Sequence, residues 1–391
     1  MKATLAVTAL GVVSVAGHGA IVSPRSRQSV DYLAGVNTMS CANATGDDCN
    51  NGQAAFYYSQ GCFIGCKECD HMSGRRQIDL CDSGQNATVN DPLQRSVNRG
   101  AEAGSPEDIY KHNPWRYPGN APVADVCGLA GGTPWGPDAP EAGDYVNTSF
   151  AHHGTRGSTL GPLPDYTPPK WTIGGQAMVT WQIRNNHGGG YQYRLCPATE
   201  DLTEECFQAH PLDFVREKQA IVFANGTRLP INGTFVDGDQ VQPAGSTWSL
   251  IPIPPTWLGP RCIPGPNDTA TTPNACLPGE DKLMDGPCVP CPGTPGSDCS
   301  RCDNNAQPAF EPFCGDHEAP GSNGDGACEG NEGGAAVLDF LEIPSDLPAG
   351  DYVLGFRYDC EATAQVWSNC ADITLVLDSA DAAPAKYTAE K

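Results

Sequence analysis

The sequence predicts an all-β protein: an antiparallel β-sandwich of the immunoglobulin/fibronectin III type, with long disulfide-stapled loops. Three observations carry that expectation. Short runs such as Ala177-Met-Val-Thr-Trp-Gln-Ile183 and Tyr191-Gln-Tyr-Arg-Leu195 alternate apolar and polar residues with the period of a strand. The 391 residues include 45 Gly and 35 Pro, and no long stretch shows helical periodicity, so strands joined by loops are expected and little helix. The 19 cysteines are dense enough to staple loops that cannot bury a core of their own.

The elements follow in chain order. Met1-Lys2 is basic, Ala3 to Val15 is apolar, and Ala16-Gly17 with Val15 at the −3 position makes a small-residue cleavage site. Residues 1–17 therefore read as a secretory signal peptide, too short to span a bilayer, whose removal leaves His18 first. One sandwich domain is expected over 18–378. Its first strand lies near Gly19–Ser23, and the stretch from there to about Pro169 is mostly loop, with a short helix around Pro106–Lys111. Further strands are expected at Gln176–Ile183, Tyr191–Leu195, Ile221–Ala224, Thr247–Ile253, Ala336–Ile343, Tyr352–Tyr358 and Asp372–Leu377. Residues 254–334 form a Cys/Pro/Gly-rich insert containing Cys288-Val-Pro-Cys291 and Cys299-Ser-Arg-Cys302. Paired CxxC motifs suit zinc, but only seven residues separate them here and an oxidising compartment favours disulfides. Residues 379–391 read as a disordered tail.

Charge narrows the partners. With 23 Lys+Arg against 46 Asp+Glu, the formal net charge is −23, which disfavours nucleic acid and anionic membranes and leaves a neutral polysaccharide compatible. Every cysteine lies beyond residue 17, and their odd number leaves one thiol free or paired with another chain. Six Asn-x-Ser/Thr triplets, at Asn43, Asn86, Asn147, Asn225, Asn232 and Asn267, agree with export. The expectation is a secreted, extracellular monomer.

Three distant segments carry the chemistry. They are His18-Gly-Ala-Ile-Val-Ser-Pro-Arg-Ser-Arg27, Trp181-Gln-Ile-Arg-Asn-Asn-His187-Gly-Gly-Gly-Tyr-Gln-Tyr193, and Gln365-Val-Trp367-Ser-Asn-Cys370-Ala-Asp372. Copper(II) favours nitrogen ligands in a tetragonal arrangement. An N-terminal His18 offers its amine and its ring nitrogen, and His187 offers a third nitrogen. The glycines at 188–190 leave room above a flat surface for metal and solvent, although a hairpin turn accounts for them equally. Trp367 and Tyr193 are equally acceptable as core aromatics. The adjacent His152-His153 pair competes for the role of second ligand but has no glycine platform after it.

Taken together, these segments resemble the lytic polysaccharide monooxygenases, related to secreted chitin-binding type-4 domains. The opening His18-Gly-Ala-Ile-Val-x-Pro-x-Ser-Arg27 is similar to that family's mature N-terminus. His187-Gly-Gly-Gly-x-x-Tyr193 is similar to the segment supplying its second copper ligand, and Gln365-x-Trp367-x-x-Cys370-Ala-Asp372 to its C-terminal segment. The resemblance implies copper bound by His18 and His187, with Gln365 beside the oxygen site. It further implies an external electron donor, and oxidation at C1 or C4 of a chitin-, cellulose- or related chain by peroxide or oxygen. Trp367 stands where the family usually has an axial Tyr or Phe, and its indole brings bulk without a phenol oxygen. Two other classes remain: a non-catalytic polysaccharide-binding module whose aromatics stack on sugars, and a secreted copper-binding protein. Hydrolysis by paired carboxylates has no recognisable motif behind it.

Overall fold

The computed structural model describes residues 18–37, 51–60, 113–132, 145–185, 188–223, 228–239, 241–252, 335–361 and 365–377. The expected signal peptide, the helix at 106–111, the 254–334 insert with its CxxC pairs, and the tail at 379–391 lie outside the described residues.

Fourteen strands are described: β1 His18–Ser23, β2 Tyr57–Gln60, β3 Leu129–Ala130, β4 Lys170–Thr172, β5 Gln176–Asn185, β6 Gly190–Pro197, β7 Asp213–Phe214, β8 Ala220–Phe223, β9 Arg228–Pro230, β10 Phe235–Val236, β11 Trp248–Leu250, β12 Ala335–Glu342, β13 Gly350–Asp359 and β14 Gln365–Val376. They form two sheets, one in the order β1-β5-β12-β8-β9 with β7 on β12, the other β10-β11-β6-β13-β14-β2-β3 with β4 on β14. All pairings are antiparallel except β4 with β14. The protein is an antiparallel β-sandwich, as its alternation predicts.

The main apolar cluster fills the space between the sheets. Ile21, Val179, Trp181, Ile183, Val337 and Leu341 of the first sheet meet Tyr191, Tyr193, Leu195, Leu354, Phe356, Tyr358, Trp367 and Ile373 of the second. Each set occupies alternate strand positions, so one face of each sheet is committed to the core. Two disulfides are present among the described residues. Cys127–Cys370 fastens the 113–132 loop to β14, and Cys196–Cys206 fastens β6 to a short helix, α1, Glu204–Ala209.

The sequence misplaces three features. The last strand begins at Gln365 rather than Asp372, so the whole third motif is strand and not the approach to one. The first segment, expected to be mostly loop, contributes β2 and β3 to the edge of the second sheet. The helix α1 was not foreseen; Thr203 caps it, its hydroxyl accepting from the Cys206 N–H at 3.2 Å, with Glu204 and Glu205 in the first turn.

Candidate metal centre

β1 is an edge strand that starts at His18, which pairs with Asn185, the last residue of β5. Two residues later comes His187, and the chain enters β6 at Gly190, having crossed to the other sheet. The backbone thus brings the start of β1 and the β5–β6 connection to one end of the sandwich. The side chain of His18 and all of His187 lie outside the described residues.

The glycines after His187 have a different cause from the expected open platform. Gly188 and Gly189 hold φ of 62° and 91°, in the left-handed region that favours glycine. A Cβ on Gly189 would overlap the Asp359 carbonyl oxygen, and one on Gly190 would overlap the Trp115 ring and the Ser249 carbonyl. The missing side chains at 189 and 190 therefore make room for the chain itself. Gly19 is similarly confined, its virtual Cβ lying 3.2 Å from the Trp181 ring and 3.3 Å from the Tyr358 ring.

The first and third motifs are bonded to each other across the sandwich. The Ile21 N–H donates to Asn369 Oδ1 at 3.2 Å, and Asn369 Nδ2 donates to the Ala54 carbonyl at 2.9 Å. Asn51 Nδ2 donates to the Ile21 carbonyl at 3.1 Å. Gln28 accepts from the Cys370 N–H at 3.2 Å and donates to the Cys127 carbonyl at 2.6 Å, bridging both ends of a disulfide. Arg27 makes a bidentate pair with Asp372, at 3.1 Å through Nε and 2.6 Å through Nη2. These bonds hold β1 and the segment that follows it against β14. Asn369 is the residue sequence reasoning missed, because nothing marks a polar residue in a strand as pointing inward until its partner is known.

Gln365 opens β14 opposite Gln60, 7% exposed, with its carbonyl accepting from the Cys360 N–H at 3.1 Å. Strand alternation puts it on the inward face with Trp367. Trp367 is fully buried and stacks on Tyr58, with ring centroids 4.1 Å apart and planes inclined by 26°. In register it lies between Tyr58 and Tyr358, and Tyr358 is the ring that touches Gly19. Trp367 is thus a core aromatic in the ring layer beneath the start of β1. Tyr193 is likewise in the core.

His152 and His153 sit on the loop that hydrogen-bonds to β3, beyond β2 at the other edge of the second sheet. Their N–H groups donate to Thr155 Oγ1 at 3.0 Å and to Asn147 Oδ1 at 2.6 Å, which are turn-closing bonds. Among the described residues no group of three His, Cys, Asp or Glu side chains is gathered to hold a metal, at this loop or elsewhere.

Two buried charge networks flank the region. Asp339 of β12 accepts from Tyr191, Tyr193 and Gln219 in the sandwich interior, and burial pushes its carboxyl up to about 6 against those hydrogen bonds. On the outer face of the second sheet, burial would raise Glu204, but Arg194 and Arg357 outweigh it and hold the carboxyl down at about 2. Asp339 carries one sequence signal, a charge at an inward position of the apolar run Ala335-Ala-Val-Leu-Asp-Phe-Leu341.

No protein-family model and no curated protein matches the chain. Among solved structures, a chitin binding domain from Burkholderia pseudomallei aligns at 12% identity over 92% of this chain and 100% of its own, with a TM-score of 0.34. The cellulose-active LPMO CelS2 in complex with copper aligns at 13% identity over 91% of this chain and 98% of its own, with a TM-score of 0.24. Likenesses of this size carry no functional argument, and the sandwich assignment rests on the sheets themselves. No helix among the described residues is long and apolar enough to cross a membrane.

Proposed function

We propose that this chain is a secreted, copper-dependent lytic polysaccharide monooxygenase acting on a neutral polymer such as chitin or cellulose. The observation that carries this reading is that the start of β1, where His18 pairs with Asn185, meets the β5–β6 connection at one end of the sandwich, on a strand bonded to the third motif through Ile21–Asn369. A terminal amine and two imidazoles are a donor set that fits copper, and His18 with His187 would supply it. When bound, copper supplies one-electron chemistry which, with a reductant and peroxide or oxygen, removes hydrogen from C1 or C4 of a sugar.

The chain's own residues have separable tasks. His18 and His187 hold the metal; Asn369, Gln28 and the Arg27–Asp372 pair keep the strand carrying His18 from shifting. Gln365 offers an amide at the end of β14. Trp367 and Tyr358 fill the space beneath β1 and exclude water there.

The burial of the described tryptophans weighs against a purely stacking module. Among the described residues, Trp115, Trp171, Trp181, Trp248 and Trp367 are all buried and present no face to a sugar ring. Copper-loaded protein beginning at His18 is expected to form peroxide only with reductant, and with ascorbate to release oxidised oligosaccharides from one polymer of a panel, read by mass spectrometry. Binding to a polysaccharide with neither peroxide nor oxidised product would contradict the proposal.

A further inference from the structure

A cleft of about 350 Å3 opens on the outer face of the second sheet, within the span of small-molecule sites, roughly 300–1,000 Å3. Arg357 of β13, Glu204 and Gln208 of α1, the 119–123 loop and Gln242 line it. Its walls are held from several sides. Cys196–Cys206 fastens α1 to β6, and Cys127–Cys370 fastens the loop's continuation to β14. The Gly119 N–H donates to Asp359 Oδ2 at 2.7 Å, the Gln242 N–H to the Pro118 carbonyl at 2.8 Å, and Arg357 Nη2 to the Ala121 carbonyl at 2.9 Å. Gly119 holds φ of 85° and passes so close to Gln242 that a Cβ would overlap its carbonyl oxygen. Such a cleft is ordered before any ligand arrives, so binding costs little further ordering.

The charges at the cleft are already matched. Arg357 donates to Glu204 Oε1 at 2.9 Å and to Asp359 Oδ1 at 2.8 Å, and Arg194 donates to Glu204 Oε1 as well. Gln208 Nε2 adds a bond to that same oxygen at 3.2 Å. Two guanidinium groups are thus offset by two carboxylates, and among the described residues of the network no charge is left over for an ionic ligand. Hydrogen-bonding capacity does remain. Glu204 Oε2, an acceptor, and Asn120 Nδ2, a donor, are buried without a hydrogen-bond partner. Unmet groups of both kinds suit a ligand that donates and accepts at once, as a hydroxyl does. Gln208 and Gln242 add amides of the same double capacity, and Ala121, Pro122 and Val123 add an apolar wall.

We infer that this cleft is a binding site for a neutral pyranose unit, built from residues other than those proposed to hold copper. Ring hydroxyls donate to Glu204 Oε2 and accept from Asn120 Nδ2, while the apolar C–H face of the ring lies against Pro122 and Val123. A sugar acid or an amino sugar brings a charge that Arg357, Glu204 and Asp359 have no spare partner to meet. The formal net charge of −23 acts in the same direction against anionic sugars. The choice of a saccharide over another polyol rests on the proposed function; the cleft and its preference for a neutral, hydroxyl-rich ligand do not.

The test uses copper-free protein and saturation-transfer NMR with glucose, N-acetylglucosamine, cellotetraose, chitotetraose, glucuronate, glucosamine and myo-inositol. At least one neutral saccharide is expected to bind, several-fold more tightly than glucuronate, glucosamine and myo-inositol. Tighter binding of the tetramer than of its monomer assigns the site to a polymer chain, and equal binding assigns it to a free sugar. Asn120→Ala with Gln208→Ala is expected to weaken the signal several-fold, and so is Gln208→Trp, which fills the cleft from the half-buried side of α1. His187→Ala is expected to leave it unchanged. No binding of any neutral saccharide to the unsubstituted chain, equal or tighter binding of glucuronate, glucosamine or myo-inositol, or loss of binding in His187→Ala overturns the assignment, and the first two results stand even if a variant fails to fold. Copper plays no part in this experiment, so its failure leaves the proposed function untouched.

Discussion

Arg27 and Asp372, 345 residues apart, meet in a bidentate ion pair whose side chains are 9% and 12% exposed. Arg27 also donates to the Leu160 carbonyl at 2.9 Å, so one guanidinium ties the N-terminal segment, a long loop and the last strand. Removing one partner leaves the other charge buried and unpaired, at a cost on the order of 3–5 kcal/mol. Arg27→Met is therefore expected to destabilise strongly in urea unfolding. Arg27→Met with Asp372→Leu is expected to recover part of the loss, and equal stability of the single variant and the parent would contradict this.

Trp367 stacks on Tyr58 and has no exposed surface. Truncation to alanine empties a large volume, and Trp367→Ala is expected to cost on the order of 3–5 kcal/mol. Trp367→Tyr keeps a ring against Tyr58 and is expected to lose much less, to retain copper binding, and to shift the copper EPR parameters. Identical spectra for parent and Trp367→Tyr would mean that this ring does not sense the metal.

Burial raises the Asp339 carboxyl to about 6, against 3.8 for an exposed aspartate. The folded state therefore keeps this proton to higher pH than the unfolded state. Its contribution is full below about pH 4 and is lost as pH rises through about 6, a change on the order of 3 kcal/mol. Glu204, held down at about 2 chiefly by Arg194 and Arg357 against its burial, acts in the opposite direction, losing stability as pH falls below its usual range toward 2. Comparing parent with Asp339→Asn isolates the first effect. The variant is expected to show a flatter loss of stability between pH 4 and 6, and parallel curves would contradict the buried-carboxylate account.

The choice between imidazoles is tested by substitution. His187→Ala is expected to change the copper EPR signature and abolish oxidative activity. His152→Ala with His153→Ala is expected to leave the three-nitrogen signature intact, because those residues sit on the β3 side of the second sheet in a turn closed by Asn147 and Thr155. The reverse pattern would move the metal to that loop.

The central strands were legible because each puts one face into the core, and apolar-polar alternation records that directly, as in β5 from Ala177 to Ile183. The first half of β14 was not, because its inward row reads Gln365, Trp367, Asn369, Ala371. Asn369 points inward to hold Ile21 and Ala54, and a polar residue satisfied across the sandwich breaks the pattern that reveals a strand. The six-residue helix α1 is too short for periodicity to emerge. At the candidate site, the sequence left the glycines open between a platform and a turn, and the contacts that demand glycine at 189 and 190 were not legible in it. The need for glycine at 190 comes from Trp115, 75 positions earlier, and contacts of that range leave no local trace.

The central claim is a copper site that begins at His18, and its most direct measurement compares two forms of the chain by calorimetry and EPR. One begins at His18; the other carries a single alanine before it, converting the amine into an amide that holds its proton. The first is expected to bind one Cu(II) with a three-nitrogen signature, and the second to bind more weakly by at least roughly tenfold, or about 1.4 kcal/mol, with that signature lost. Equal affinity and identical spectra for the two forms would contradict the account.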